Sequence, residues 1–406
     1  MNYFLLAVIA IVFLEAALMI LVKWVRRKFQ WFITADDEFP VMSKDGMEKF
    51  FQFGYDAELG WIRKPNTSHN EKGKYGKTSF HIDENGARNN PSHEKLNSTI
   101  ACFGDSFAFC RQVNDNETWQ WYLSEMTNSN ASNFGVGNYG IDQAYLRLER
   151  EISNIKPSIV LMGVVPSTIV RILCIWKHYN EFGNTFGFKP RFDFKDGKLI
   201  LIKNIIDSKS RFFEYKKYIN EIRERDYFYL TKFKKEMIRF PFSYYFLKNP
   251  IRNFSISIAM LLCSLFGVLG VKCKTVCNYP LQKIMNINLK LRRKLFQHKY
   301  ACDIFSGILD KFIQLSKEKQ IMPIFVLLPQ KDDVLFVKKK HNYYNHFLEE
   351  MRKKIFIIDL TQPLLEVNNL DFLYSDDGVY GGHFSKDGNK FVAEFIFDQL
   401  KRKGHV

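Results

Sequence analysis

The stretch Ile100-Ala101-Cys102-Phe103-Gly104-Asp105-Ser106-Phe107 constrains this chain more than any other. A short apolar run halted by turn residues has the pattern of a buried strand. A serine just past the carboxyl end of such a strand stands where open α/β sheets bind ligands. Serine is a weak nucleophile until a base lies beside it and hydrogen-bond donors face the oxyanion that forms on attack. The rest of the sequence is therefore read for a parallel sheet, a base and a set of donors.

The sheet can be traced on both sides of a long interruption. Strand 98–103 leads to Ser106, and a helix is expected from about Asn116 to Glu125, capped by Asn116 or Asp115. A short strand near Asn133 ends in Gly135-Val136-Gly137-Asn138-Tyr139-Gly140. Helix 141–154 places Ile141, Tyr145, Leu148 and Ile152 on one face, and strand Ile159-Val160-Leu161-Met162 follows. After the interruption, helix 302–319 carries Ile304, Ile308, Phe312 and Leu315 at helical spacing. Strand Ile324-Phe325-Val326-Leu327-Leu328, a helix near 342–352, strand Ile355-Phe356-Ile357-Ile358 and a last helix over 388–402 complete the series. Alternating strands and helices predict a doubly wound α/β unit of five parallel strands with right-handed crossovers.

The N-terminal residues 1–29 have a different character. Residues 3–22 are almost unbroken apolar sequence, about the 20 residues that cross a bilayer. Lys23, Trp24, Arg26, Arg27 and Lys28 follow in place of a small-residue cleavage site, which predicts a retained single-pass anchor. With cations only after the run, the positive-inside rule puts the body in the cytoplasm, although an anchored hydrolase outside the membrane is also common. Glu15 stands mid-span, where a carboxylate is costly and should be protonated or face a polar partner, for which another membrane helix is one candidate. Residues 30–97 are polar and turn-rich and are expected to wrap on the main domain.

The insertion, 170–300, is basic and aromatic. From Lys203 to Arg252 there are 13 Lys or Arg against 6 Asp or Glu, interleaved with Phe and Tyr. An apolar segment, 254–271, comes directly after. That combination suits contact with lipid headgroups, and it equally suits a core helix of the insertion. A full crossing by 254–271 would separate Ser106 from the carboxyl-terminal part of the sheet. Over the whole chain the net charge is +16, and 16% aromatic with 46% hydrophobic residues excludes wholesale disorder. No RNP, finger or helix-turn-helix pattern accompanies the charge, so nucleic acid is not an expected partner. Seven cysteines without repeated Cys-x-x-Cys predict neither a disulfide framework nor a zinc site. Cys102, Cys110, Cys174 and Cys263 read as core residues, and Cys273 and Cys277 are close enough in sequence to pair.

The candidate base is His383, in Gly381-Gly382-His383-Phe384-Ser385, just before the last helix and after the last strand. This places it on the sheet edge that carries Ser106. Gly104-Asp105-Ser106, the 133–140 glycine turn and His383-Phe384-Ser385 with Gly388-Asn389 together resemble the SGNH (GDSL-type) hydrolase superfamily. The likeness is strongest to its bacterial branch associated with cell-surface polysaccharide, through Gly-Val-Gly-Asn-Tyr-Gly-Ile-Asp-Gln at 135–143. It covers 98–169 and 301–406, and it implies a flavodoxin-like α/β/α sandwich.

The resemblance also implies roles. Ser106 would be the nucleophile and its N–H the first oxyanion donor. His383 would be the base, and the backbone at Gly137-Asn138 the second donor. Two positions depart from the family pattern. Gly163-Val164-Val165-Pro166-Ser167-Thr168 lacks the usual asparagine, for which Ser167 or Arg171 could substitute. Three residues before His383, where the family's acid stands, is Tyr380, so that role falls to Asp376, Asp377 or a backbone carbonyl. Asp105 reads as a structural partner of the turn. The implied activity is a serine esterase acting on O-acyl, foremost O-acetyl, groups of a glycan or glycolipid. An O-acyltransferase sharing the first half-reaction and a non-catalytic scaffold or glycan-binding module are the alternatives. No metal or nucleotide cofactor is implied, and the sequence does not fix an oligomeric state.

Overall fold

A computed structural model describes residues 3–271, 273–375 and 382–406. Two compact units are interleaved along the chain. One is formed by 44–175, 187–218 and 292–406, the other by 1–43, 176–186 and 219–291.

The first unit holds the expected sheet. Its strands are β1 (Ile100–Gly104), β2 (Ala131–Asn133), β3 (Ile159–Val164), β4 (Met322–Leu327) and β5 (Phe356–Asp359). The spatial order is 2-1-3-4-5, and every neighbouring pair is parallel. This is the doubly wound, flavodoxin-like order, with a topological switch point between β1 and β3. All residues of β1, β2 and β3 are buried, which is why these strands read as continuous apolar or small-residue runs.

Alternate residues of each strand serve opposite faces. Ile100, Cys102, Leu161, Ile324, Val326 and Ile358 pack with Trp119, Leu123, Val392 and Ile396 from the helices Trp119–Thr127 and Lys386–Arg402. On the other face lie helices Ile141–Ile155 and Lys299–Glu318, where the Phe305 and Phe325 rings meet at 5.9 Å. The result is the α/β/α sandwich. The helix expected from Asn116 divides in two: Asn114 caps a short 3-10 turn, Asp115–Glu117, and Thr118 caps Trp119–Thr127 by accepting from Trp121 N. The helix expected near 342–352 is Asn345–Arg352, and a further helix not expected from the sequence, Lys331–Lys339, precedes it. Of the lead-in region, 44–97 belongs to this unit and contributes a hairpin, Thr67–Gly73 with Gly76–Ile82.

The second unit is helical. Tyr3–Lys28 is one helix, long and apolar enough to cross a membrane and compatible with a single-pass anchor. Residues 3–14 are exposed all round, whereas Val22 and Val25 pack with Phe32, Phe246, Ile256 and Met260. Glu15 accepts hydrogen bonds from Phe242 N (2.6 Å), Ser243 N (2.9 Å) and the Ser243 hydroxyl. Its polar partner is thus the N-terminus of the helix Phe242–Lys248 in the same chain.

The apolar segment of the insertion forms helix Pro250–Val268, also long and apolar enough to cross a membrane. Arg252, Asn253, Ile256, Ser257, Ala259 and Met260 are buried on one side, while Ile251, Phe254, Ile258, Leu261 and Leu265 are exposed on the other. Cys263 is not a core thiol. The chain folds back from this helix into Lys274–Leu295, which brings the Cα atoms of Cys263 and Cys277 to 5.1 Å in a disulfide. The expected pairing of Cys273 with Cys277 is accordingly replaced, and Cys273 is a free thiol.

Candidate functional site

The site lies at the β1/β3 switch point. β1 and β3 run so close at their carboxyl ends that a Cβ on Gly104 would lie 1.8 Å from the carbonyl oxygen of Gly163, so only glycine fits. Ser106 then opens a single helical turn, Ser106–Phe109, whose N-cap is Asp105. Ser106 is 6% exposed, and its hydroxyl has no hydrogen-bond partner among the described residues.

Asp105 is a structural carboxylate. One oxygen accepts from Phe107 N (2.8 Å), and the other accepts from Val165 N (3.0 Å) and Arg171 Nη1 (3.0 Å). Burial pushes its carboxyl above the ordinary value, opposed by the Arg171 charge and by these hydrogen bonds. Arg171 Nη1 also donates to the carbonyl of Tyr139 at 3.0 Å. Arg171 therefore joins the serine turn to the glycine turn, and in this arrangement its Nη1 faces protein partners. Ser167, the other substitute considered for the missing asparagine, has a buried hydroxyl with no hydrogen-bond partner among the described residues.

The glycine turn folds back over β1. Phe134 N donates to Cys102 O (2.8 Å) and Val136 N to Gly104 O (3.0 Å). A Cβ on Gly135 would lie 2.3 Å from Phe109 N, so this turn sits directly on the serine helix. Asn138 has φ of 67°, the left-handed conformation that Asn tolerates better than most residues. Gly137 is fixed by Trp61 Nε1, which donates to its carbonyl at 3.0 Å, and the Tyr139 hydroxyl donates to Trp61 O at 2.5 Å.

His383 reaches the same place from the other end of the chain. Tyr374 and Phe384 form an antiparallel bridge, and Ser375 N donates to His383 O at 2.7 Å. Ser385 caps the last helix through Gly388 N (3.1 Å) and donates to Phe372 O (2.8 Å). These bonds hold the His383 ring 5.0 Å from the ring of Phe107, the residue next to Ser106. Asp376, Asp377 and Tyr380 lie outside the described residues.

A contact absent from the sequence reading comes from Gln112. Its Oε1 lies 2.9 Å from His383 Nδ1, 3.3 Å from His383 N and 2.7 Å from the Ser375 hydroxyl. Gln112 N donates to Glu71 (2.9 Å), which also pairs with Arg111 Nε (2.9 Å). The loop itself is gripped by Arg88, which is 2% exposed. Its guanidinium donates to the carbonyls of Phe109 (2.8 Å), Cys110 (2.5 Å) and Val113 (2.7 Å), and pairs with Asp115 at 2.8 Å. Nothing in the sequence distinguishes this glutamine; the signal is tertiary. A cavity of about 190 Å³, lined by Lys74, Tyr75, Gln112, Asn114, Ser385 and Lys386 among others, opens beside it.

No family model matches the chain. No curated protein matches it either. Among solved structures it is similar to a lipolytic protein of the G-D-S-L family from Desulfitobacterium hafniense DCB-2, at 13% identity and a TM-score of 0.34 over 74% of this chain and 99% of that one. It is also similar to the esterase EstA from Pseudoalteromonas sp. inhibited by monoethylphosphonate, at 10% identity and 0.31 over 76% and 100%. A third similar structure is the acetyl xylan esterase AlAXEase, at 14% and 0.33 over 74% and 98%. Likenesses this distant carry no argument about what the chain does.

Proposed function

We propose that this chain is a membrane-anchored serine esterase, with Ser106 as nucleophile and His383 as base. The observation that carries the reading is the placement of Ser106 on a capped turn at the β1/β3 crevice, with the His383 ring packed on the adjacent Phe107. Catalytic hydrogen bonds often tighten only when substrate is bound. As His383 Nε2 takes the hydroxyl proton, Oγ bonds to the ester carbonyl carbon. The tetrahedral oxyanion would be met by the N–H groups of Ser106 and Asn138. Collapse breaks the bond to the leaving oxygen, which receives the proton from His383 and departs as the alcohol. Water, deprotonated by the same imidazole, then releases the acyl group and restores Ser106.

The substrate proposed is an O-acyl, foremost O-acetyl, ester on a glycan or glycolipid. Anchorage through Tyr3–Lys28 suits a substrate held at a membrane; the positive-inside rule favours a cytoplasmic body, whereas the Cys263–Cys277 disulfide favours an oxidising compartment. Transfer of the acyl group to a sugar hydroxyl would use the same acyl-enzyme. A non-catalytic reading is favoured by one feature, the Val164-Val165-Pro166 sequence where the family carries its asparagine donor. Losing one such donor lowers kcat by about 100–1,000-fold and leaves catalysis measurable. Labelling the full chain in detergent with a fluorophosphonate separates the readings. Labelling that disappears in Ser106→Ala is the expected result, and an unlabelled wild type would sink the enzymatic reading.

A further inference from the structure

We propose that Gln112 is the positioning residue of His383, its amide oxygen accepting from the ring Nδ1–H. This rests on the reading of His383 as the base, and it assigns the form in which that base is held.

The oxygen and nitrogen of the Gln112 amide are told apart by their partners. The main-chain N–H of His383 can only donate, and it lies 3.3 Å from Oε1. The carbonyl of Lys72 can only accept, and it lies 3.3 Å from Nε2 of the same side chain. Both contacts require the Gln112 oxygen to face the histidine. His383 Nδ1 is 2.9 Å from that oxygen, so Nδ1 carries the hydrogen. In a neutral imidazole the lone pair then resides on Nε2, the form that can accept the serine proton. Gln112 has φ of 69° and Cys110 has φ of 60°, both in the left-handed region that a non-glycine residue holds only when its surroundings over-determine it. Arg88 and Glu71 supply that restraint, so the loop after the nucleophile delivers the acceptor to the base.

An amide and a carboxylate do different work here. Either fixes the tautomer and the plane of the ring, but only the carboxylate stabilises the imidazolium by charge. Gln112→Glu adds that charge, favours protonated His383, and moves the acid limb of the pH-rate profile upward by about one unit. Gln112→Met removes the acceptor and lowers kcat roughly 100-fold with little change in KM. The test uses the full chain in detergent, with 4-nitrophenyl acetate turnover from pH 5 to 9 and 15N spectra of histidine-labelled protein, His383 being assigned from His383→Gln. Support consists of a wild-type Nδ1–H tautomer that is lost in Gln112→Met, together with the upward limb in Gln112→Glu. The proposal is overturned if both variants keep the wild-type profile and tautomer, or if Asp376→Asn or Asp377→Asn produces these changes instead. Should Gln112→Met fail to fold, the isosteric Gln112→Glu decides alone. If wild-type turnover survives in Ser106→Ala, the hydrolase reading fails, while the 15N spectra still decide the role of Gln112.

Discussion

Replacing Arg171 by methionine should destabilise the sheet unit severely, and the size of the effect follows from what is left behind. Asp105 is fully buried, and the guanidinium at 3.0 Å is its ion-pair partner. Truncation strands that carboxylate together with the Tyr139 carbonyl, which shares the same Nη1. Breaking one side of a buried pair costs about 3–5 kcal/mol, far more than an exposed pair is worth. For a unit of this size, 3 kcal/mol corresponds to a fall in melting midpoint of about 6–12 °C. The sign of the pH dependence is also fixed. Burial raises the Asp105 carboxyl in the folded state, and Arg171 is the main opposing influence. Without Arg171 the folded pKa rises further, so the stability deficit is greatest at neutral pH and shrinks as pH falls and Asp105 protonates. The assay is the intrinsic-fluorescence melt of the detergent-solubilised chain at pH 7.5 and pH 5, with Asp105→Asn/Arg171→Met as the paired control. A loss below about 1 kcal/mol, the range of an exposed pair, would refute the reasoning. So would a deficit that is identical at the two pH values.

Other outcomes follow from the helical unit. Glu15→Ala removes the acceptor for Phe242 N and Ser243 N and should weaken the Phe242–Lys248 helix by about 1 kcal/mol, read as faster amide exchange confined to that segment. His178 is buried against Trp176, Phe182 and Phe233, and burial lowers its pKa to about 4. The unfolded chain therefore binds a proton that the folded one refuses, so stability is full above about pH 6.5 and declines toward pH 4 by up to roughly 3 kcal/mol; a flat stability profile over that window would count against it. Disulfides persist in oxidising compartments, so peptide mapping of protein alkylated before lysis should recover the linked Cys263–Cys277 peptides, and free thiols there would place that turn in the cytoplasm.

The sheet was readable because each strand announces itself locally. β1 and β3 are buried on both faces, so their sequences are apolar without alternation, and turn residues stop them at the edge where the site forms. Asp105 reads in the sequence as a structural partner of the turn and is its N-cap, and Asn138 holds the positive φ that Asn tolerates, whereas the close approach that requires Gly104 appears only in the fold. The helix starts were less legible. Asn114, Asp115, Asn116 and Thr118 are all competent caps, and only the packing of Trp119 under β1 selects Thr118 for the longer helix. Cys263 gave no sign of its disulfide, because pairing depends on how the chain turns between two helices rather than on spacing.

Gln112 shows why the rest of the site was hidden. Its own neighbours, Arg111 and Val113, predict nothing, and glutamine has no preference for the conformation it adopts. What makes it an acceptor for His383 is the buried Arg88 gripping three carbonyls of the loop, with Glu71 of the hairpin strand holding Gln112 N. Arg88 and Glu71 lie before the first strand of the sheet, in the region the sequence marks only as a polar lead-in. That region therefore does more than cover the core: it sets the backbone that presents an oxygen to the imidazole. A search for an acid at fixed spacing before the histidine examines one segment of the chain, whereas the acceptor at Nδ1 can be supplied by any loop that a buried arginine holds against the same edge.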